Sequence, residues 1–145
     1  MSFFTSLSPD IADYPILCPT ITKTYWLSGE GEVCTPSKEE LSQMLASNSP
    51  PLICHRNWTE KKIGTKLDKY LDILELFAFV KPAEFCLPTP TGLALATGLA
   101  LPKTNFEKVL LLRSAAYNLL DKMSENAQLA SDTGSYNSSK MLGDI

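Results

Sequence analysis

The residue types best suited to chemistry lie in the middle of the chain, between Pro50 and Leu101. His55 is the only histidine, and two acids, Glu60 and Asp72, follow it at the predicted starts of helices. A lone histidine at the end of a strand is usually hydrogen-bonded within the fold. An acid at a helix start accepts backbone amides and complements the helix dipole. The three residues are candidates for a site, although structural roles explain them better.

A modest basic run accompanies these candidates. An aromatic side chain beside lysines can stack on a single-stranded base while the cations contact phosphates. A solvated helix face explains such a run equally well. Phe77 and Phe79 are expected in the core, whereas Phe85 falls in a loop. The residues predicted to contact nucleic acid are Arg56, Trp58, Lys61 and Lys62, and the run continues with Lys66 and Lys69.

The composition is that of one globular domain. Of the 145 residues, 44% are hydrophobic and 20% are charged, and the formal net charge is −3. A negative chain lacks the basic surface of a stand-alone nucleic-acid-binding protein, so any DNA contact would be local or supplied by an attached partner. No apolar run reaches the length of a membrane span, and the first residues lack the pattern of a secretory signal. We expect a cytoplasmic protein with no membrane partner.

The cysteines do not form a recognisable metal site. All 4 are spread along the chain with no C-x-x-C pair. Only Cys54 and His55 are adjacent, and neighbouring residues on a strand point to opposite faces, so the two are not expected to chelate one ion. Buried, reduced thiols are expected instead, and no metal ligand is assigned.

The first predicted elements are a β-hairpin and a helix. Pro15–Leu27 is rich in β-branched and aromatic residues, which predicts strand structure. Ser28–Gly31 is turn material, and Glu32–Thr35 is predicted to be the returning strand. Thr35 precedes a proline, which places an N-cap before the first helical position. This helix is expected to end at Asn48–Pro51.

The rest of the chain alternates a short strand with helices. Leu52–Cys54 is a short apolar run that predicts a buried strand. Asn57 and Glu60 have the spacing of a capping box, and so do Thr104 and Glu107. The predicted helices end at Ile63, cover Leu74–Val80 and Gly92–Thr97, and cover Phe106–Met123. This order predicts an α/β domain with a mixed sheet flanked by helices at residues 1–124, then a flexible polar linker or truncated end at 125–145.

The segment Leu71–Leu99 resembles the latter half of proofreading-type 3′–5′ exonucleases of the ribonuclease-H-like fold. Those proteins have a strand that ends in a histidine-containing turn, an acid a few residues later, an Asp-Thr-Leu-like element and a late glycine-containing helix. The corresponding segments here are Leu52–His55, Glu60, Asp72–Leu76 and Gly92–Leu99. The resemblance implies a degenerate ribonuclease-H-like fold, whose acids would hold two divalent cations that activate a water molecule.

The carboxylates needed for that chemistry are incomplete. The family's opening Asp-x-Glu is absent, because Pro15–Ile21 contains no acid. The closing acid is also absent, because Phe106–Leu120 contains only Glu107, which has a capping role. Two acids do not make a two-metal site. The resemblance therefore implies an inactive nuclease, in which the candidate histidine and acids are vestigial.

A longer phrase resembles the N-terminal region of alphaproteobacterial DinG-like ATP-dependent DNA helicases, which are relatives of the XPD helicases. The distinctive part is Asp72–Pro90, DILELFAFVKPAEFCLPTP, and the likeness extends over Tyr14–Leu120. In that family a degenerate exonuclease-like domain precedes the motor. The chain has no G-x-x-x-x-G-K-[ST] loop, no DEAH-like box and no four-cysteine iron–sulfur cluster. It is expected to be a helicase fragment or a truncated product, with ATP and magnesium bound only by the motor.

The resemblance implies a non-catalytic accessory N-terminal domain of a DNA helicase that acts in DNA repair or replication. The expected partners are DNA, reached through an attached motor, and a protein partner. Two alternatives stay open, a divergent metal-dependent 3′–5′ exonuclease and a stand-alone protein-interaction domain. The chain by itself is expected to be inactive.

Overall fold

Helices on both faces of a five-stranded sheet position the candidate residues. The computed structural model describes residues 14–47 and 49–134, with side chains described as far as residue 126. The strands in this part are β1 (Ile16–Pro19), β2 (Thr24–Leu27), β3 (Val33–Cys34), β4 (Leu52–Ile53) and β5 (Leu71–Asp72). The helices are α1 (Lys38–Ser47), α2 (Arg56–Ile63), α3 (Ile73–Val80), α4 (Pro90–Thr97) and α5 (Asn105–Gly134). The predicted α/β class, with a mixed sheet flanked by helices, is confirmed.

The sheet combines an antiparallel half with a parallel half. Its strand order is β3-β2-β1-β4-β5, and β2 pairs antiparallel with both β1 and β3. On the other side, β1 runs parallel to β4, with Ile16 opposite Leu52, and β4 runs parallel to β5. Parallel neighbours need crossover connections, and α1 and α2 lie in these connections. The carboxyl ends of β1, β4 and β5 therefore lie at one edge of the sheet.

Side chains of the central strands alternate between two hydrophobic clusters, one on each face of the sheet. Ile16 and Cys18 belong to one cluster, and Leu17 between them belongs to the other. The first cluster includes residues of α3, α4 and α5, among them Phe77, which is buried as expected. The second includes residues of α1 and α2. Cys34 is exposed, contrary to expectation, because β3 is an edge strand.

The segment predicted as strand at Pro15–Leu27 is two strands joined by a turn. Thr20 Oγ1 donates to the carbonyl oxygen of Lys23 at 2.8 Å and accepts the amide of Lys23 at 3.1 Å. The amide of Thr20 also donates to the carbonyl oxygen of Lys23, at 2.7 Å. Thr20–Lys23 contains no glycine, proline or asparagine, so the usual turn residues did not mark it.

Helix α1 begins later than predicted, because Ser37 and not Thr35 caps it. Ser37 Oγ accepts the amide of Glu40 at 3.2 Å, and Glu40 Oε1 accepts the amide of Ser37 at 2.8 Å. This reciprocal pair is a capping box. The hydrogen bonds from Ser37 lower the pKa of the Glu40 carboxyl.

Helix α5 begins close to its predicted start and runs to Gly134. Thr104 Oγ1 accepts the amide of Glu107 at 3.1 Å, as expected, whereas Glu107 Oε1 accepts the amide of Lys103 at 2.8 Å. Residues 125–134 are helical, while 1–13 and 135–145 lie outside the described residues, so the domain boundary at 124 stays a prediction. None of the described helices combines the length and hydrophobicity needed to cross a membrane.

Gly92 allows α4 to pack closely against the loop before it. A Cβ atom at this position would clash with the carbonyl oxygen of Leu87 and lie 2.7 Å from Leu87 Cβ. Thr89 Oγ1 accepts the amide of Gly92 at 2.9 Å and thereby caps the helix. The close approach and the cap together fix the loop that leads into α4.

We expect Gly92→Ala to destabilise the fold by about 1–3 kcal/mol, because the added methyl group meets backbone that cannot move aside. This effect outweighs the gain of about 1 kcal/mol in helix propensity. Urea denaturation, followed by the fluorescence of the buried Trp26, measures the change. Leu95→Ala in the same helix is the control; because Leu95 is 64% exposed, its effect should stay within about 0.5 kcal/mol. An unchanged midpoint for Gly92→Ala would contradict the packing described.

Candidate functional site

Asp72 ends β5, and its carboxylate accepts backbone amides. Oδ1 accepts the amide of Leu74 at 2.8 Å, which caps α3, and Oδ2 accepts the amide of Arg56, the first residue of α2, at 2.9 Å. A longer contact of 3.4 Å joins Oδ1 to the amide of His55. Only 6% of Asp72 is exposed. The expected capping of α3 is confirmed, and the same carboxylate also holds the start of α2.

His55 caps α2 from a strained backbone conformation. Its φ is 72°, and among the described residues it is the one non-glycine residue with a positive φ. Its Nδ1 accepts the amide of Trp58 at 3.2 Å. A ring nitrogen that accepts a hydrogen bond carries no proton, so Nε2 carries the proton of the neutral ring. His55 is hydrogen-bonded within the fold, as expected, and the predicted cap at Asn57 is wrong because His55 occupies the capping position.

Glu60 faces the loop after α2 instead of the start of that helix. Its Oε2 accepts the amide of Leu67 at 2.8 Å and the Nε–H of Arg56 at 3.3 Å. The bond from Leu67, followed by the bond and charge of Arg56, lowers the pKa of the Glu60 carboxyl. The predicted bond to the amide of Asn57 is wrong, because Glu60 closes this loop. Glu60 and Asp72 therefore accept different backbone amides.

A cavity of about 780 Å³ opens where β1 and β4 end. The ends of both strands, the start of α2, the loop before α4 and the start of α5 surround it. Its lining residues include Cys18, Thr20, Cys54, His55, Trp58, Thr89, Asn105 and Lys108. Glu60 and Asp72 are not among them. Of the three vestigial candidates, only His55 lines this cavity.

Cys54 and His55 line the same cavity, contrary to the expectation for neighbouring strand residues, because the positive φ of His55 breaks the strand alternation. Burial raises the pKa of the Cys18 thiol to about 11, and the charge of Lys108 opposes this increase. Burial, followed by the charge of Asp72, also raises the pKa of Cys54. Both thiols are therefore protonated at neutral pH. In the part of the chain that the structure describes, no three His, Cys, Asp or Glu side chains are grouped to hold a metal ion.

The four predicted nucleic-acid contacts occupy different surroundings. Trp58 lines the cavity and is 39% exposed, and Lys62 Nζ lies 5.7 Å from the centre of a Trp58 ring. Lys61 is exposed on the same helix. The guanidinium of Arg56 is paired with Glu60 and lies 5.4 Å from the ring centre of Tyr70. Of the four residues, Trp58 lines the cavity, and Lys62 lies beside its ring.

No sequence pattern marked the end of β1 or the start of α5 as part of a site. Cys18 and Thr20 carry no charge that would draw attention to them, and Lys108 lies in a helix whose pattern indicated only packing. One general rule could have located the site: α/β proteins bind ligands at the edge where the carboxyl ends of parallel strands meet. The rule applies only once β1 is known to pair with β4, and no local sequence pattern shows this pairing.

We expect Asp72→Asn to destabilise the fold by about 1.5–3 kcal/mol. The asparagine NH₂ group donates and cannot accept, so one of the two helix starts loses its acceptor. Thermal or urea denaturation measures the effect. Asp68→Asn is the matched control, because Asp68 is exposed on the preceding loop. Equal, small effects of the two substitutions would show that the carboxylate does not hold the helix starts.

Comparison with known proteins leaves the chain without a match: no family model fits it, and neither a curated protein nor a solved structure is similar to it. The likeness of Asp72–Pro90 to DinG-like helicases therefore stays a prediction that none of these comparisons tests.

Proposed function

We propose that this chain is a non-catalytic accessory domain of an ATP-dependent DNA helicase, and that its cavity holds single-stranded DNA without cleaving it. We also propose that its fold is a degenerate ribonuclease-H-like fold. The strand order β3-β2-β1-β4-β5 gives a mixed sheet with an antiparallel half and a parallel half, and this α/β arrangement supports the proposal. The resemblance of the segment Asp72–Pro90 to DinG-like helicases supports the link to a helicase.

The observation that carries the proposal is the chemistry of the cavity. It lies at the carboxyl ends of β1 and β4, where α/β sheets bind their ligands. A two-metal nuclease needs several carboxylates to converge at such a place. Here the strand ends present Cys18, Thr20 and Cys54, and none of the described lining residues is an acid. Asp72 and Glu60 accept backbone amides instead.

Trp58 and Lys62 provide a local contact surface for a single strand. A base can stack on the exposed part of the Trp58 ring, and the ammonium group of Lys62 near that ring can contact the adjoining phosphate. A surface of this size does not need a positive net charge. It therefore accords with a chain whose net charge is −3.

We expect the purified protein to bind labelled single-stranded oligonucleotides in metal-free buffer, and Trp58→Ala to weaken that binding by about tenfold, because stacking on one base contributes about 1–3 kcal/mol. Lys62→Ala should weaken binding less and reduce its dependence on salt. Fluorescence anisotropy at two salt concentrations measures both effects.

Phe85→Ala is the matched control, because Phe85 is 80% exposed but does not line the cavity. Equal losses in the Phe85 and Trp58 variants would argue against binding at the cavity. The labelled strands should also stay full length when incubated with Mg²⁺ or Mn²⁺. Progressive shortening would favour the divergent exonuclease, and recovery of a protein partner without DNA would favour an interaction domain.

The link to a motor predicts that the reading frame continues beyond codon 145 into a G-x-x-x-x-G-K-[ST] loop and a DEAH-like box. ATP and magnesium would bind to that motor. Sequencing the transcript past the codon for Ile145 tests the prediction. A stop codon there, with no motor encoded nearby, would contradict it.

A further inference from the structure

The charge of the cavity is opposite to that of a metal-dependent nuclease site. Lys108 is the one permanently charged side chain among the described residues that line it. The ion pair found in the described part of the chain joins Arg56 to Glu60 and does not involve Lys108. A site that retains two divalent cations needs an excess of negative charge. This cavity instead favours an anion.

Lys108 and Cys18 line the same cavity. Burial raises the pKa of the Cys18 thiol to about 11, and the charge of Lys108 opposes that increase. The neutral ring of His55 lines the same cavity and carries an N–H donor at Nε2.

The other walls of the cavity are apolar or aromatic and can contact the base and the sugar of a nucleotide. Pro19, Pro88 and Leu112 contribute apolar surface, and Trp58 lines one side. Residues from the first turns of α4 and α5 also line the cavity, and the amides of a first turn add positive partial charge to that of Lys108. The cavity thus combines surfaces for an aromatic ring with a positive region for one anionic group.

We propose that the cavity binds a nucleotide that carries a terminal phosphate, with Lys108 in contact with the phosphate, Trp58 stacked on the base, and no metal ion between them. The volume of about 780 Å³ suits one nucleotide, since small-molecule sites span about 300–1,000 Å³. This inference rests on the proposed DNA-binding role and narrows it to phosphomonoester ends. Two ligands share that chemistry, a phosphorylated end of a DNA strand and a free deoxynucleoside monophosphate.

The test compares three internally labelled oligonucleotides of one sequence in buffer with EDTA. One carries a 3′-phosphate, one a 5′-phosphate, and one has hydroxyl groups at both ends. We expect one phosphorylated strand to bind about tenfold more tightly than the hydroxyl strand, because its phosphate gains a charge-assisted hydrogen bond. Lys108→Gln should remove this advantage, so that the phosphorylated and hydroxyl strands bind the variant with equal affinity.

Lys103→Gln is the matched control, because Lys103 is exposed just before α5 and does not line the cavity. It should keep the tenfold advantage. A phosphate advantage that survives Lys108→Gln overturns the role of Lys108. A deoxynucleoside monophosphate, titrated by calorimetry and used as a competitor, distinguishes the two ligands. If it binds tightly, the ligand is the free nucleotide. If it competes weakly with the phosphorylated strand, the ligand is the strand end.

Failure of this inference and failure of the proposed function give different results. Equal affinity for the three oligonucleotides, with no binding of the monophosphate, overturns the phosphate site and leaves DNA binding in place. If no oligonucleotide binds, the proposed DNA-binding role is wrong. In that case, binding of the monophosphate to the unmodified protein but not to the Lys108→Gln variant still supports the phosphate site. If the monophosphate does not bind the unmodified protein either, both the phosphate site and the DNA-binding role are wrong.

Discussion

The carboxylate of Asp72 is the constraint on which the site depends. A buried carboxylate needs hydrogen-bond donors, and here they are the amides of Leu74 and Arg56, at 2.8 and 2.9 Å. These amides belong to the first turns of two helices, α3 and α2, which follow neighbouring parallel strands. One side chain thus determines where both helices begin. Its contact with the amide of His55 also supports the positive φ that brings this residue to the cavity.

Both oxygens of this carboxylate accept amides at helix starts, which supports the proposal that the domain does not cleave DNA. Glu60 is occupied in the same way by the amide of Leu67. With Cys18 and Cys54 at the strand ends, the cavity is apolar where a nuclease would be acidic, and Lys108 leaves it positive. The proposed binding of DNA without cleavage rests on this combination of a concave shape, a positive charge and the absence of acids among the described lining residues.

Local signals identified two helix starts whose capping residue and amide donor lie within one helical turn. The caps at Asp72 and Thr104 were predicted from residue type and from position at an expected helix start, and their amide donors are two and three residues away. The prediction at Glu60 was wrong because the donor that it accepts is the amide of Leu67, beyond the end of the helix. The turn at Thr20–Lys23 was missed because a threonine side chain closes it without glycine or proline.

By itself, the sequence determined the class of the fold and most of its elements, since hydrophobic periodicity and capping act over a few neighbouring positions. It also determined that the first strand carries no acid. Only the tertiary structure decided which residues share the cavity. Cys18, His55 and Lys108 come together through the pairing of β1 with β4 and the packing of α5 against the sheet. These contacts join segments far apart in the chain, and burial of the facing surfaces stabilises them, so no local pattern specifies them.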